Sequence, residues 1–364
     1  MTSKEEHMLR ALKLAKKGLF TASPNPMVGC VITHDNKVIG QGWHKSPGEN
    51  HAEINALNDV IKSLGKKSKE ILKESELFVN LEPCTTFGKT PPCADSINDC
   101  QIKKVYFSNE DKAQKEFSKV YPEIKVETGL LSEEGRRLNR GFFSRIEKGR
   151  PYISCKVASA LDGGIALPSG ISKWITSVDS RKDVHKMRAS SDAILTGTGT
   201  VLKDNPQLTS RDSGLDVDSF SQPLRVIVDR NNILTGEEKI FSSNARTILF
   251  RNVESEIQEK NNVEIAKLPA NPSLPLNEVV KYLAEEKLIN NLMVEAGAGI
   301  ISSLLKEQLI DEIIQYKAPK LLGENRKSFT NLDVAIEKLG TIELSVIDIE
   351  ELGDDIKYSL IPNY

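Results

Sequence analysis

Charge of one sign, long apolar runs and aromatic side chains are all scarce in this chain. Its 49 Lys and Arg against 51 Asp and Glu leave a formal net charge of −2, so no global basic field gathers nucleic acid. Aromatic residues are only 5% of the chain and do not interleave with basic clusters, which also counts against a nucleic-acid binder. A local basic pocket for a phosphorylated small molecule remains compatible with this balance. No stretch approaches the roughly 18 apolar residues of a membrane span. Met1 to Arg10 is charged and lacks the apolar core of a signal peptide. The expectation is a cytoplasmic protein with neither a membrane nor a nucleic acid as partner. Cysteines are few and odd in number: Cys30, Cys84, Cys93, Cys100 and Cys155. That argues against a disulfide framework and for metal binding or buried thiols.

What the chain does have is length for two domains and one concentrated chemical inventory. Its 364 residues, 39% hydrophobic and 27% charged, suit two soluble globular units, each large enough to bury a core. Asn50-His51-Ala52-Glu53, Leu81-Glu82-Pro83-Cys84 and Pro91-Pro92-Cys93 supply an imidazole, two thiols and a carboxylate from three nearby segments. With His51, Cys84 and Cys93 as ligands, the fourth position of a zinc ion is left to water; four protein ligands would be structural. Glu53 would take a proton from that water and pass it to a ring nitrogen and to leaving ammonia. The H-x-E and P-C pairing is a nucleobase-deaminase signature, although eight residues, Thr85 to Pro92, separate the cysteines here instead of two. Taken singly, each residue has a plainer reading as a core thiol or a helix-cap histidine. The ordered combination is what argues for zinc.

The surrounding pattern reads as alternating helices and strands. Met8, Leu12, Ala15 and Leu19 predict an amphipathic helix over 4–18. Met27–Ile32 and Lys37–Ile39 predict a hairpin, and Gly40 and Gly42 after it permit unusual backbone angles. Leu57, Val60, Ile61 and Leu64 mark the apolar side of a helix that starts near His51. Residues two apart diverge inside a helix, so His51 and Glu53 share a pocket only at its mouth. Glu76–Leu81 and Lys104–Phe107 read as strands, and Cys93 opens a helix through Asp99, where the helix dipole favours thiolate. The alternation predicts a three-layer α/β domain. A helix over 133–143 and then Lys148-Gly149-Arg150-Pro151 suggest a boundary, placed between 1–146 and 147–364; an intradomain turn is the alternative.

The second half reads as strands at Tyr152–Val157, Ser191–Thr196, Leu224–Asp229, Arg246–Phe250, Asn291–Val294, Glu312–Tyr316 and Glu343–Ile349, with a helix over 177–190. Glu295-Ala296-Gly297-Ala298-Gly299 leads into a helix carrying Ile301, Leu304, Leu305 and Leu309. A strand, a glycine turn and a helix start form an anion cradle, or else simply allow close packing; the full G-x-G-x-x-G fingerprint is absent.

Two sets of motifs carry a resemblance. Pro24-Asn25-Pro26 with Val28-Gly29, His51-Ala52-Glu53 and the run from Leu81 to Cys93 resemble the deaminase part of the bifunctional riboflavin-biosynthesis deaminase/reductase family. Ser159 to Gly163, Lys173 to Thr176, Gly199 to Pro206 and Val294 to Gly297 resemble its reductase part. Two stretches depart from the family pattern: Thr85, Thr86 and Phe87, and Asn109 to Gln114, which has neither proline nor glycine. The resemblance implies a cytidine-deaminase-like domain followed by a dihydrofolate-reductase-like domain, with zinc and NADPH as cofactors and a homodimeric assembly. It implies zinc-dependent deamination of a phosphoribosylated diaminopyrimidinone, then NADPH-dependent reduction of the ribosyl group to ribityl. It assigns pyrimidine and ribose-phosphate contacts to Asn25, His44 and Lys89. It assigns NADPH contacts to Ala158, Trp174, Thr200, Asp204 and Gly297, Ala298, Gly299, Ile300, Ile301, Ser302 and Ser303. Reductase substrate contacts fall to Ser172, Arg188, Leu208, Arg211 and Glu295. Arg188 and Arg211 suit phosphate through bidentate hydrogen bonds, and Lys156 and Asp162 are candidate proton donors. The rival readings are a deaminase of another nucleobase or of nucleic acid fused to a nucleotide-binding domain, and a protein whose zinc is purely structural. Glu53 discriminates against the last, since a structural site needs no acid–base group.

Overall fold

The computed structural model describes residues 2–88, 90–169, 174–216, 220–242, 245–251, 262–267, 275–332 and 341–364. They divide into two compact units, Met1–Lys148 and Gly149–Tyr364. Among the described residues, no helix is long and apolar enough to cross a membrane.

In the first unit α1 (Ser3–Ala15) precedes β1 (Gly29–His34), β2 (Lys37–Trp43), α2 (Ala52–Leu64), α3 (Ser68–Lys73) and β3 (Glu76–Leu81). Then come α4 (Cys93–Asp99), β4 (Lys104–Asn109), α5 (Phe117–Val120), β5 (Lys125–Thr128), α6 (Ser132–Leu138) and α7 (Arg140–Lys148). The sheet order is β2-β1-β3-β4-β5, antiparallel at β1 and parallel from β3 to β5. Helical crossovers cover both faces, as parallel neighbours require. Met8, Ala11 and Leu12 of α1 pack on Val31 and Phe78. On the other face Ala56, Leu57 and Val60 of α2 and Ile97 of α4 pack on Ile32, Val79 and Val105. The result is the three-layer α/β arrangement that the alternation predicts.

Three local expectations are corrected. Gly40 and Gly42 do not serve unusual backbone angles; they lie inside β2, which runs to Trp43. A Cβ on Gly40 would sit 2.3 Å from Val60 Cγ2, and one on Gly42 would sit 2.5 Å from the Ala52 carbonyl oxygen. The missing side chains therefore let α2 lie directly on the strand. That close seat turns the stripe Ala52, Glu53, Ala56, Leu57 and Val60 inward and leaves Ile61, expected on the apolar side, 48% exposed. Finally, the helix expected over 133–143 is broken at Asn139 into α6 and α7. The buried Asn139 side chain accepts from the Met27 amide and donates to the Met27 carbonyl, both at 2.8 Å, which ties the helix junction to the loop after Asn25.

In the second unit β6 (Tyr152–Ala160), α8 (Val178–Ala189), β7 (Ala193–Gly197), α9 (Thr198–Asp204), β8 (Leu224–Val228), α10 (Lys239–Ser242), β9 (Thr247–Arg251) and β10 (Val263–Lys267) come first. They are followed by α11 (Leu276–Glu285), β11 (Asn291–Val294), α12 (Ala298–Lys306), β12 (Glu312–Ala318), β13 (Glu343–Leu352) and β14 (Asp355–Asn363). The sheet runs β10-β9-β8-β7-β11-β6-β12-β14-β13. It is parallel from β10 to β12, and the last hairpin joins antiparallel. Fully buried β7 and β8 show the near-continuous apolar character of strands covered on both faces. The chain leaves β7 toward β8 on one side and leaves β11 toward β12 on the other. Adjacent strands whose connections diverge in this way open a crevice at their carboxyl ends.

Candidate functional site

His51 is the N-cap of α2, with extended backbone and no cap bond from its side chain, so the imidazole is free for other use. Cys84 lies in the loop that leaves β3, and Cys93 is the first residue of α4. Their donor atoms, with His51, all fall within 4.8 Å of one another. Nδ1 of His51 is 3.5 Å from Cys84 Sγ and 3.3 Å from Cys93 Sγ. Tetrahedral zinc, with bonds of about 2.3 Å to sulfur and about 2.0 Å to nitrogen, sets an N···S edge of about 3.5 Å, so this donor set fits the ion.

The electrostatics agree. Of the two thiols Cys84 ionises first, drawn down by hydrogen bonding from the Cys93 thiol, and also by His51 and the Cys93 amide. Cys93 is pushed up by the neighbouring Cys84 and by burial, so the pair retains one proton that a cation can displace. His51 is raised, chiefly through its bond to Cys84. Glu53, in the first turn of α2, is 3% exposed, and its Oε2 has no hydrogen-bond partner. Burial and then the Cys84 charge push its carboxyl up to about 7, against the opposing pull of His51. A carboxyl poised there takes up and releases a proton near neutrality.

Asn25 and His44 join this cluster. Asn25 Nδ2 donates to His44 Nε2 at 3.0 Å, and His44 Nδ1 donates to the Asn50 carbonyl at 3.2 Å. Burial lowers the pKa of His44, and its neutral ring stands edge-on to His51 at 5.3 Å. Lys89 lies outside the described residues. Sequence reasoning missed Asn80, which holds the strand entry: its Oδ1 accepts from Gly29 N and its Nδ2 donates to the Met27 carbonyl. A buried asparagine inside an otherwise apolar strand is the signal that could have found it.

In the second unit Arg188 and Glu295 are brought together. Arg188 Nε and Nη2 donate to the two Glu295 oxygens at 2.6 and 2.9 Å, and Nη1 donates to the Thr209 carbonyl. The guanidinium fork is thus engaged by a carboxylate of its own chain. Lys156 Nζ lies 3.7 Å from Glu295 Oε2. Burial pushes the Glu295 carboxyl up, but the charges of Arg188 and Lys156 and the bonds from Arg188 outweigh it and hold it at about 2. Thr200 lies across from the glycine turn, its Oγ1 3.9 Å from where a Gly297 Cβ would be. Gly197 has Ile300 against it at 2.6 Å in the same sense, so the turns after β7 and β11 face each other across the crevice. Asp204 ends α9 beside the left-handed Asn205. Trp174 is 66% exposed, with the Arg181 guanidinium 4.5 Å over its ring. Ala158 is half-buried near the carboxyl end of β6.

Several expected contact residues are already engaged within the fold. Gly297 is the N-cap of α12, and the Ile301 amide already bonds the Gly297 carbonyl, so the glycine turn presents the amides of Ala298, Gly299 and Ile300. Ile301 and Ser302 are buried in the body of that helix, with Ser302 Oγ accepting from Asn331 N, and Ser303 Oγ donates to the Gly299 carbonyl. Leu208 is 3% exposed within an apolar cluster, so its side chain is not offered to a ligand. Asp162 is engaged by the backbone of its own turn and of the 322–323 segment. Despite some burial it is held below the ordinary carboxylate range by the amides of Gly323, Leu322 and Gly164 and by Arg326. Arg211 is exposed; its guanidinium bonds Gln207, and its amide donates to His185 Nδ1 at 3.2 Å. His185, whose pKa is lowered by burial and by Arg188, is therefore a neutral anchor of that loop that sequence reasoning did not single out. Ser172 lies outside the described residues.

Comparison with known proteins matches both halves. Residues 1–109 match the cytidine and deoxycytidylate deaminase zinc-binding region, and residues 151–358 match the RibD C-terminal domain. The chain is 37% identical to the riboflavin biosynthesis protein RibD of Escherichia coli strain K12, over 98% of this chain and 99% of that protein. It is also 37% identical to RibD of Aquifex aeolicus, over 97% and 96% of the two chains. Acinetobacter baumannii RibD superposes with a TM-score of 0.88 at 33% identity, covering 100% of this chain and 99% of that one. A Thermotoga maritima structure gives a TM-score of 0.86 at 34% identity, with 99% of each chain covered. That protein is titled a diaminohydroxyphosphoribosylaminopyrimidine deaminase/5-amino-6-(5-phosphoribosylamino)uracil reductase.

Proposed function

This chain belongs to the RibD family, the bifunctional deaminase/reductases of riboflavin biosynthesis, and from that premise we propose how its residues divide the two reactions. The first unit hydrolyses the amino group of 2,5-diamino-6-(5-phosphoribosylamino)pyrimidin-4(3H)-one. The second reduces the ribosyl group of the resulting 5-amino-6-(5-phosphoribosylamino)uracil to ribityl. The observation that carries the reading is the meeting of His51, Cys84 and Cys93 beside the unpartnered Glu53 oxygen at the mouth of α2.

Zinc bound by those three donors supplies the Lewis acidity that makes water nucleophilic near neutral pH. Glu53 Oε2 would accept one proton of the attacking water and pass it to the ring nitrogen, then carry the second, from the newly added hydroxyl, to the departing ammonia. Its burial keeps competing water from the carboxyl. Asn25 and the neutral His44 orient the pyrimidine, and Lys89 serves the phosphate of the substrate as a cation.

NADPH supplies the reducing equivalent in the second unit. The facing turns after β7 and β11 support a dinucleotide there: Gly297 admits close approach, and the α12 amides of Ala298, Gly299 and Ile300 suit a phosphate. Ala158, Trp174, Thr200 and Asp204 contact the cofactor. Arg188, held on Glu295, and Arg211 and Ser172 form the sugar-phosphate side. Lys156, the remaining cation beside Glu295, is the residue suited to hold or deliver a proton to the opened sugar.

The substrate is a small phosphorylated molecule and not nucleic acid. It and its pyridine nucleotide reductant are cytoplasmic metabolites, which supports a cytoplasmic site of action. The chain acts as a homodimer. Support comes from β13, a ten-residue edge strand that leaves Leu344, Val346, Ile347 and Ile349 exposed.

The decisive experiment follows ammonia release and NADPH consumption on the diaminopyrimidinone substrate, with zinc content measured in the same sample. One ammonia and one NADPH per substrate are expected, with ammonia appearing first. NADPH oxidation without substrate, or without prior ammonia release, would overturn the order of reactions.

A further inference from the structure

Residues 110–116, between β4 and α5, supply none of the candidate metal donors and not the acid–base group, yet this segment is folded onto the loop that carries Cys84. Glu82, buried two residues before that cysteine, ties down both ends: Oε2 accepts from Asp111 N at 2.9 Å and Oε1 from Phe117 N at 2.6 Å. From the middle, Gln114 turns back. Its Oε1 accepts from Thr85 N at 2.8 Å, and its Nε2 donates to the carbonyls of Pro83 at 3.3 Å and Glu82 at 3.4 Å. Thr85 Oγ1 completes the attachment by donating to the Lys115 carbonyl at 2.7 Å.

The pattern of these bonds is informative. The Pro83 carbonyl belongs to the peptide unit before Cys84, and the Thr85 amide belongs to the unit after it. One side chain therefore grips both planes whose rotation sets the Cα–Cβ direction of the cysteine. A primary amide can do this because it carries an acceptor and two donors; a carboxylate offers only acceptors. Beyond these bonds, Cys84 is held by the Ala94 amide on its carbonyl and by the Cys93 amide on its sulfur, at 3.1 and 3.2 Å.

We propose that Gln114 is a positioning residue of the metal centre, presetting Cys84 Sγ opposite His51 Nδ1 so that the ion meets a formed site. This rests on the zinc reading given above. Groups that orient metal ligands without touching the metal change affinity by about 10–100-fold when removed. Chelator competition on the full chain should show Gln114→Ala weakening zinc binding by about tenfold or more. Gln114→Glu, which keeps the acceptor for Thr85 and loses the donors, should fall between that variant and the unmodified protein. The metal-free unfolding transition and the NADPH-dependent activity of the second unit should stay in place in both. Zinc affinity within about twofold of the unmodified protein would overturn the proposal. So would equal destabilisation of the zinc-free and zinc-loaded forms, which marks a packing role only. Should Gln114→Ala fail to fold, the zinc affinity of Gln114→Glu decides by the same criterion. If the unmodified protein binds no more zinc than His51→Ala, the zinc reading itself fails and takes this proposal with it.

Discussion

The two units assemble their sites by different means. In the first, three candidate metal donors and a buried carboxyl converge from residues 51–93, on two helix starts and one strand exit, so the proposed chemistry resides in side chains. In the second, the proposed working parts are strand ends and turns drawn from residues 156–303. The turns after β7 and β11 face each other across the crevice, and the cations there, Arg188 and Lys156, both meet the Glu295 carboxylate. On the proposed reading, the first site should be most sensitive to substitution of its reacting atoms, and the second to changes of shape and charge balance.

The largest expected effect tests the side-chain half of this contrast. Glu53→Gln should keep zinc and the fold while cutting ammonia release by about 10²–10⁴-fold, the usual range for a lost general acid–base group. NADPH consumption with the pre-deaminated uracil substrate should remain. Normal ammonia release from the variant would remove Glu53 from the mechanism.

Arg188→Ala probes the charge balance. It leaves Glu295 buried with Lys156 as its remaining cation, at a cost of about 3–5 kcal/mol in stability. Reductase turnover should fall with it while the deaminase continues. Denaturant unfolding monitored beside both activities reads this out. An equal loss of the two activities would break the division of labour.

A smaller effect concerns acid. The Glu295 carboxyl lies at about 2 in the folded chain against 4.5 as its ordinary value. Because the folded value is the lower, its contribution to stability is complete above pH 4.5 and is lost as pH falls from there toward 2. The amount is on the order of 3 kcal/mol. Arg188→Ala should flatten that part of the stability profile. A profile unchanged by the substitution would mean that the ion pair does not set it.

How much of this was readable beforehand follows the same division. His51, Glu53, Cys84 and Cys93 are residues whose chemistry is explicit, and their order alone argued for zinc. The three-layer sheet of the first unit was legible because its apolar periods switch cleanly between strand and helix. The bonds that Gln114, Glu82 and Asn139 make to the loops around the candidate site were not legible. Each makes its bonds to distant backbone, and in sequence each resembles an ordinary polar loop or helix residue. Arg188 and Glu295 were singled out separately, but a pairing across 107 positions leaves no local trace. The burial of the Leu208 and Ile301 side chains was not legible either, since burial of an apolar side chain beside a turn depends on which way the chain enters. The strand β14 was missed although Asp355 to Leu360 alternates polar and apolar residues; the pattern breaks only at Ile361 and Pro362.

The close seat of α2 on Gly40 and Gly42 carries a consequence for heredity. A single base change that turned either glycine into alanine would place a methyl group where the helix backbone already is, without touching a reacting atom. The lesion would lie in the first unit, leaving the coding sequence for the other intact. Two such alleles, one at this seat and one at the Arg188–Glu295 pair, would be expected to complement each other when carried in the same cell.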